Sequence, residues 1–243
     1  MLPLFLAACG GAPGGEETTT LTVFAAASLT DAFTELAADF EADNPGVAVR
    51  LSFGPSDGLA TQIQEGAPAD VFASASPSWM DAVEDDPGAS DRVDFAKNLL
   101  VVITPADDPA GIGSVEDLAR PGVKLVLAAE GVPAGDYARE LLSNAGIADA
   151  VLANVVSNED DVKGVVQKVA LGEADAGIVY RTDVTASVDS DLRSVEVPDE
   201  LNVIATYPIA VVGSEDADVA RAFVTLVTGD GQRVLAEAGF LPP

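Results

Sequence analysis

The sequence contains no histidine and only one cysteine among its 243 residues. Without histidine there is no Ser-His-Asp or Cys-His catalytic set and no imidazole-ligated metal site. One cysteine rules out an internal disulfide, an iron–sulfur cluster and a cysteine-rich zinc site. Positive charge is scarce as well: 12 Lys and Arg stand against 40 Asp and Glu, a formal net charge of −28. A chain this acidic repels nucleic acid and anionic lipid, both of which need a positive footprint. No D-x-D-x-D-G loop turns the acidity into a calcium site. The excess reads as a solvated, self-repelling surface, and an anionic ligand would have to be held by local dipoles against the overall field. Against these absences, apolar residues make up 48% of the chain, enough at this length for a well-buried core.

The first residues stand apart. Met1 to Ala8 is apolar but far short of the roughly 20 residues that cross a bilayer. It ends in Leu6-Ala7-Ala8-Cys9-Gly10, which resembles a bacterial lipoprotein signal, where small residues precede a cysteine that is lipidated. Residues 1–20 are therefore expected to be a signal remnant and flexible Gly- and Thr-rich tether, with Cys9 as the lipidation site. The absence of Lys or Arg ahead of the apolar run departs from that pattern.

From Leu21 onward, short apolar runs alternate with segments of helical period. The runs Leu21–Ala26, Val47–Phe53, Asp70–Ser74, Asn98–Thr104, Val123–Ala128, Ala176–Tyr180 and Ala205–Val212 read as strands. Leu29, Phe33, Leu36 and Phe40 recur on one helical face before Asn44-Pro45-Gly46. Further helices are expected after the turn Gly54–Gly58, through Leu59 and Ile63 to Gly66, after Ser76-Pro77, over Ser114–Ala119, Ala134–Asn144 and Asp161–Leu171, and from Asp216 and Gly231. Such alternation means parallel sheets covered by helices, with ligands beyond the carboxyl ends of the strands.

Three strand-to-helix junctions have the make-up of an anion site. Ala25-Ala26-Ala27-Ser28-Leu29 and Gly54-Pro55-Ser56-Asp57 each offer a hydroxyl at a helix start, and Gly131-Val132-Pro133-Ala134-Gly135 offers backbone N–H groups. Taken singly, each serine has an ordinary alternative as the N-cap of its own helix.

Five segments occur in one order: Ala25–Thr30, Gln62–Ala75, Val132–Ala138, Asp160–Lys163 and Gly177–Tyr180. Together they resemble the periplasmic molybdate-binding proteins of bacterial molybdate ABC importers, over essentially Leu21 to Pro243. The resemblance implies an α/β, two-lobed periplasmic binding protein of type II, each lobe a mainly parallel sheet flanked by helices, with the ligand in the cleft. Lobe one would be residues 21–98 plus 207–243, and lobe two residues 99–206. Carried over residue by residue, the molybdate oxyanion takes donors from Ser28, Ser56, Ala134, Val162 and Tyr180, the metal being bound only as its oxyanion. No catalytic residue and no cofactor are implied. The partners implied are molybdate or tungstate and an ABC permease with a cytoplasmic ATPase. A monomer is expected, outside the cytoplasm and attached to a membrane only through a lipid. Trp79 also has a match in the family, and its plainer reading is a packed aromatic. Asp57 departs from the small polar residue common there; it is expected at the first helical position, facing solvent. Other readings stay open: a different oxyanion such as sulfate, an enzyme on the same architecture with Lys163 the lysine to test, or a scaffold with a degenerate cleft.

Overall fold

A computed structural model describes residues 18–185, 188–213 and 217–243. Cys9 and the presumed signal lie outside the described residues. Among the described residues, ten strands form two five-stranded sheets. The first contains β1 (Thr19–Ala26), β2 (Val47–Gly54), β3 (Val71–Ala73), β4 (Ala89–Asn98) and β10 (Ala205–Val212), in the order β2-β1-β3-β10-β4. The second contains β5 (Leu100–Pro105), β6 (Leu125–Ala128), β7 (Val155–Glu159), β8 (Ala176–Tyr180) and β9 (Leu192–Glu196), in the order β7-β6-β8-β5-β9. Each sheet has a parallel trio and one strand that runs against its neighbours, β10 in the first and β5 in the second. The chain passes between the sheets twice, at Leu99 and again between β9 and β10. β1 begins at Thr19, so the last two residues expected to be tether are strand.

Four of the inner strands have both faces covered. β3, β5, β6 and β8 are buried at every position, which is why they read as unbroken apolar runs. The edge strands β4, β7 and β9 escaped the sequence reading for the complementary reason. β4 reads Ala-Ser-Asp-Arg-Val-Asp-Phe-Ala-Lys-Asn and alternates too weakly, with register shifts against β10, to show a clean two-residue period. The expected helix over Ser114–Ala119 is only a 3₁₀ turn, Glu116–Ala119.

The helices lie over both sheets. α1 (Thr30–Asp43), α2 (Ser56–Gln64) and α3 (Pro77–Asp85) follow the strands of the first sheet. The second carries α4 (Pro133–Asn144), α5 (Ala148–Leu152) and α6 (Val162–Ala170). α7 (Ala217–Thr228) and α8 (Gln232–Glu237) return to the first sheet, with Phe223 of α7 edge-on to Phe33 and Phe40 of α1. Asp216, the expected start of α7, lies outside the described residues.

Candidate functional site

Ser28, Ser56, Ala134, Val162 and Tyr180 border one pocket, about 230 Å³ of empty volume counting its open mouth. All five are buried. The first two stand just past the carboxyl ends of β1 and β2. Ala134 and Val162 follow β6 and β7, and Tyr180 is the last residue of β8. The two sheets thus aim the ends of their parallel strands at a common space, where helix starts supply unpaired N–H groups.

Neither serine caps its own helix. A 3₁₀ turn, Ala27–Leu29, separates Ser28 from α1, and the helix makes no side-chain cap there. Ser28 Oγ lies instead 3.0 Å from the hydroxyl of Tyr207. The N-cap of α2 is Pro55, so Ser56 is already inside the helix. Its Oγ accepts a hydrogen bond from the Ala75 N–H at 3.0 Å, and its own proton remains for the pocket. Ala134 and Val162 sit in the first turns of α4 and α6, where a backbone N–H has no carbonyl within its helix.

Tyr180 is 1% exposed, and its hydroxyl is enclosed with no hydrogen-bond partner among the described residues. Burial above all, then neighbouring tyrosines and Asp183, raises its pKa well above the ordinary phenol value, so the proton stays on. A buried polar atom left unpaired costs about 1–3 kcal/mol. An acceptor placed in the pocket removes that cost.

The N-terminus of α4 is held by a close backbone approach. A Cβ at Gly135 would meet the Ala129 and Ala128 carbonyl oxygens at 2.1 and 2.4 Å, so only glycine fits. Arg139 then ties the loop down, donating to the carbonyls of Ala128 (3.0 Å) and Gly135 (2.8 Å) and to Asn158 Oδ1 (2.9 Å). Across the cleft, the indole N–H of Trp79 on α3 donates to the Gly131 carbonyl at 2.9 Å. Trp79 is therefore a packed aromatic, as the plainer reading held, and a direct link between the two halves as well.

Three charged residues needed the fold to be placed. Asp161 borders the pocket, which the sequence reading missed; as N-cap of α6 it accepts from the Gly164 N–H at 2.9 Å, turning its charge toward its own helix. Asp57 is not on the pocket's border. It occupies the second rather than the first position of α2, and it is half-buried rather than solvent-facing, one carboxylate oxygen being enclosed without a hydrogen-bond partner among the described residues. Lys163 does not line the pocket, and its Nζ lies 3.7 Å from Oδ1 of Asp183. Among the described residues, no Lys or Arg lines the pocket.

Asp183 is the buried charge behind the site. Its Oδ2 accepts from the Tyr180 N–H at 3.1 Å. Burial, opposed by Lys163, pushes its carboxyl up to about 7. The folded state then binds this proton more tightly than the unfolded chain, so this group's contribution to stability falls as pH rises from about 4 to about 7. Asp183→Asn, isosteric with the protonated acid, removes that slope. Denaturant titrations should show the variant gaining on the parent by more than about 1.4 kcal/mol, one pKa unit, between pH 4.5 and 7.5. A constant difference across that range would contradict the assignment.

The model of the bacterial extracellular solute-binding protein family matches residues 21–241. The chain is 40% identical over 254 aligned residues to the molybdate-binding protein of Mycobacterium tuberculosis, covering 100% of this chain and 95% of that protein. Among solved structures it is similar to the substrate-binding domain of a putative molybdenum ABC transporter from Clostridium difficile, with 30% identity, a TM-score of 0.71, and 93% and 100% of the two chains covered. The periplasmic molybdate-binding protein of Azotobacter vinelandii superposes with a TM-score of 0.80 over 92% of this chain and 99% of that one, at 22% identity.

Proposed function

From the premise that this chain belongs to the bacterial extracellular solute-binding protein family, we propose that it captures molybdate outside the cytoplasm and delivers it to an ABC importer. Tungstate, nearly the same size and charge, is taken as well. The observation that carries this reading is the donor set. Residues that carry three hydroxyls and two helix-start N–H groups border one pocket, and the Tyr180 hydroxyl has no hydrogen-bond partner among the described residues.

Molybdate is a tetrahedral dianion whose oxygens only accept. Five hydrogen bonds to a charged acceptor, at about 1.5–3 kcal/mol each, amount to about 8–15 kcal/mol before association costs. A Kd below about 1 μM corresponds to about −8 kcal/mol and lies within that reach. Hydrogen phosphate carries an O–H that needs an acceptor and would be buried unpaired, at about 1–3 kcal/mol. Sulfate has the right charge but shorter bonds, so it is rejected by size. The Trp79 bond across the cleft fits a receptor that closes on its ligand and presents the closed form to a permease driven by a cytoplasmic ATPase. Cys9 serves as the lipid anchor, and the receptor acts as a monomer.

Calorimetric titration tests the proposal. Molybdate should bind one-to-one with sub-micromolar Kd, with sulfate and hydrogen phosphate at least a hundredfold weaker. Absence of heat with every oxyanion would overturn it. Asp57→Ser in the same assay should leave molybdate affinity within about threefold, because Asp57 is off the pocket border. A tenfold gain would mean that the carboxylate opposes the bound dianion.

A further inference from the structure

The hydroxyl of Ser28 ends a buried chain of hydrogen bonds that begins where the polypeptide first passes between the sheets. Asn98, the last residue of β4, is 1% exposed. Its Oδ1 accepts from the Leu99 N–H at 2.9 Å, which fixes the amide's orientation. The amide nitrogen therefore faces the other way, donating to Thr182 Oγ1 at 2.8 Å and, over a longer 3.4 Å, to the Tyr207 hydroxyl. A phenol that accepts from an amide still has its single proton to give. In its 3.0 Å contact with Ser28 Oγ either oxygen can donate, and the phenol is taken as the donor. Ser28 in turn keeps its own proton for the pocket that it borders.

Packing holds the ring of Tyr207, and so its hydroxyl oxygen, in place. It is 0% exposed and wedged edge-on against Phe95, Phe240 and Tyr180 at centroid distances of 6.3, 5.4 and 5.8 Å. Burial, chiefly, raises its pKa above the ordinary phenol value and keeps it protonated. Ser56 is treated alike by different means, since the Ala75 N–H occupies one of its lone pairs from behind. With the phenol as donor, both pocket serines accept from the protein and keep a proton free for the pocket.

We propose that Tyr207, held by Asn98, is a positioning residue that fixes Ser28 as a one-way hydrogen-bond donor, so that the pocket selects fully ionised oxyanions over protonated ones. The inference rests on the oxyanion-binding reading. It adds a residue that touches no ligand and lies 179 positions from the serine it controls. Without the phenolic proton, Ser28 is free to rotate and to accept the O–H of an anion such as hydrogen phosphate.

The test is a double-mutant cycle read by calorimetry at pH 7.5, with molybdate and with inorganic phosphate as probes. The parent is compared with Tyr207→Phe, Ser28→Ala and the two combined. Y207F keeps the ring and its packing, and a thermal melt verifies its folding. It should weaken molybdate five- to thirtyfold and narrow the molybdate-to-phosphate ratio by at least fivefold. The double variant should bind molybdate within twofold of S28A, because the phenol acts only through the serine. Losses that multiply, or a Y207F that binds both anions as the parent does, would overturn the inference. If Y207F does not fold, Asn98→Ser takes its place in the cycle. It removes the amide that sets the order and should cost three- to tenfold in molybdate affinity, again without effect on top of S28A. A parent that fails to bind molybdate would refute the oxyanion reading itself, an outcome distinct from both.

Discussion

Replacing Ser28 and Ser56 together by alanine is expected to weaken molybdate binding by about 10²–10⁴-fold while leaving the fold intact. Each hydroxyl donates to a dianion in a site without bulk water, and a hydrogen bond to a charged group contributes about 1.5–3 kcal/mol, or roughly 10- to 150-fold. The effect on stability should be small by comparison. Ser56 Oγ satisfies one backbone N–H, that of Ala75, and Ser28 Oγ satisfies one phenol. Losing those partners costs about 1–3 kcal/mol each at most, since water can enter the open mouth of the pocket. Calorimetry beside a thermal melt separates the two. A double variant within tenfold of the parent would mean that the serines are bystanders.

Gly135→Ala should damage both binding and stability. The added methyl would sit 2.1 Å from the Ala129 carbonyl oxygen and 2.4 Å from that of Ala128. Both contacts are backbone, so no side-chain rotation relieves them. The first turn of α4 must move away from the end of β6, and overpacking of this kind costs about 1–3 kcal/mol or more. That turn carries the Ala134 N–H, while the loop before it holds the Gly131 carbonyl that Trp79 reaches across the cleft. The expected outcome is a clearly lower melting temperature together with at least a hundredfold loss of molybdate affinity. G135A with parental affinity would show that the α4 terminus contributes nothing to the ligand.

Three borders of this pocket had local signatures in the sequence, whereas Val162 and Tyr180 came only from the family resemblance. Small residues and serines follow β1 and β2, and Val-Pro-Ala-Gly opens α4. Inner strands buried on both faces announce themselves as apolar runs. Three of the four edge strands do not: β4, with Asp91 and Asp94 exposed, looks like a loop until β10 is laid beside it. Polar bookkeeping was equally hidden. Ser28 reads as a helix cap, and only the return of β10 to the first sheet brings Tyr207 to it. Asp161 could have been found from its place immediately ahead of a helical run, the usual mark of an N-cap. Asp183 had no local signal at all. Its burial and its pairing with Lys163 arise where the turn after β8 meets the start of α6.

The central claim is that neutral dipoles alone, drawn from both halves of the molecule, hold a dianion on a protein of net charge −28. A crystal structure of the molybdate complex, with data collected at the molybdenum absorption edge, tests it most directly. The anomalous peak should lie in the pocket, with oxygens within about 3 Å of the Ser28, Ser56 and Tyr180 hydroxyls and of the Ala134 and Val162 nitrogens. No lysine, arginine or cation should stand in that shell. A peak elsewhere, or one beside Lys163 swung away from Asp183, would contradict the claim.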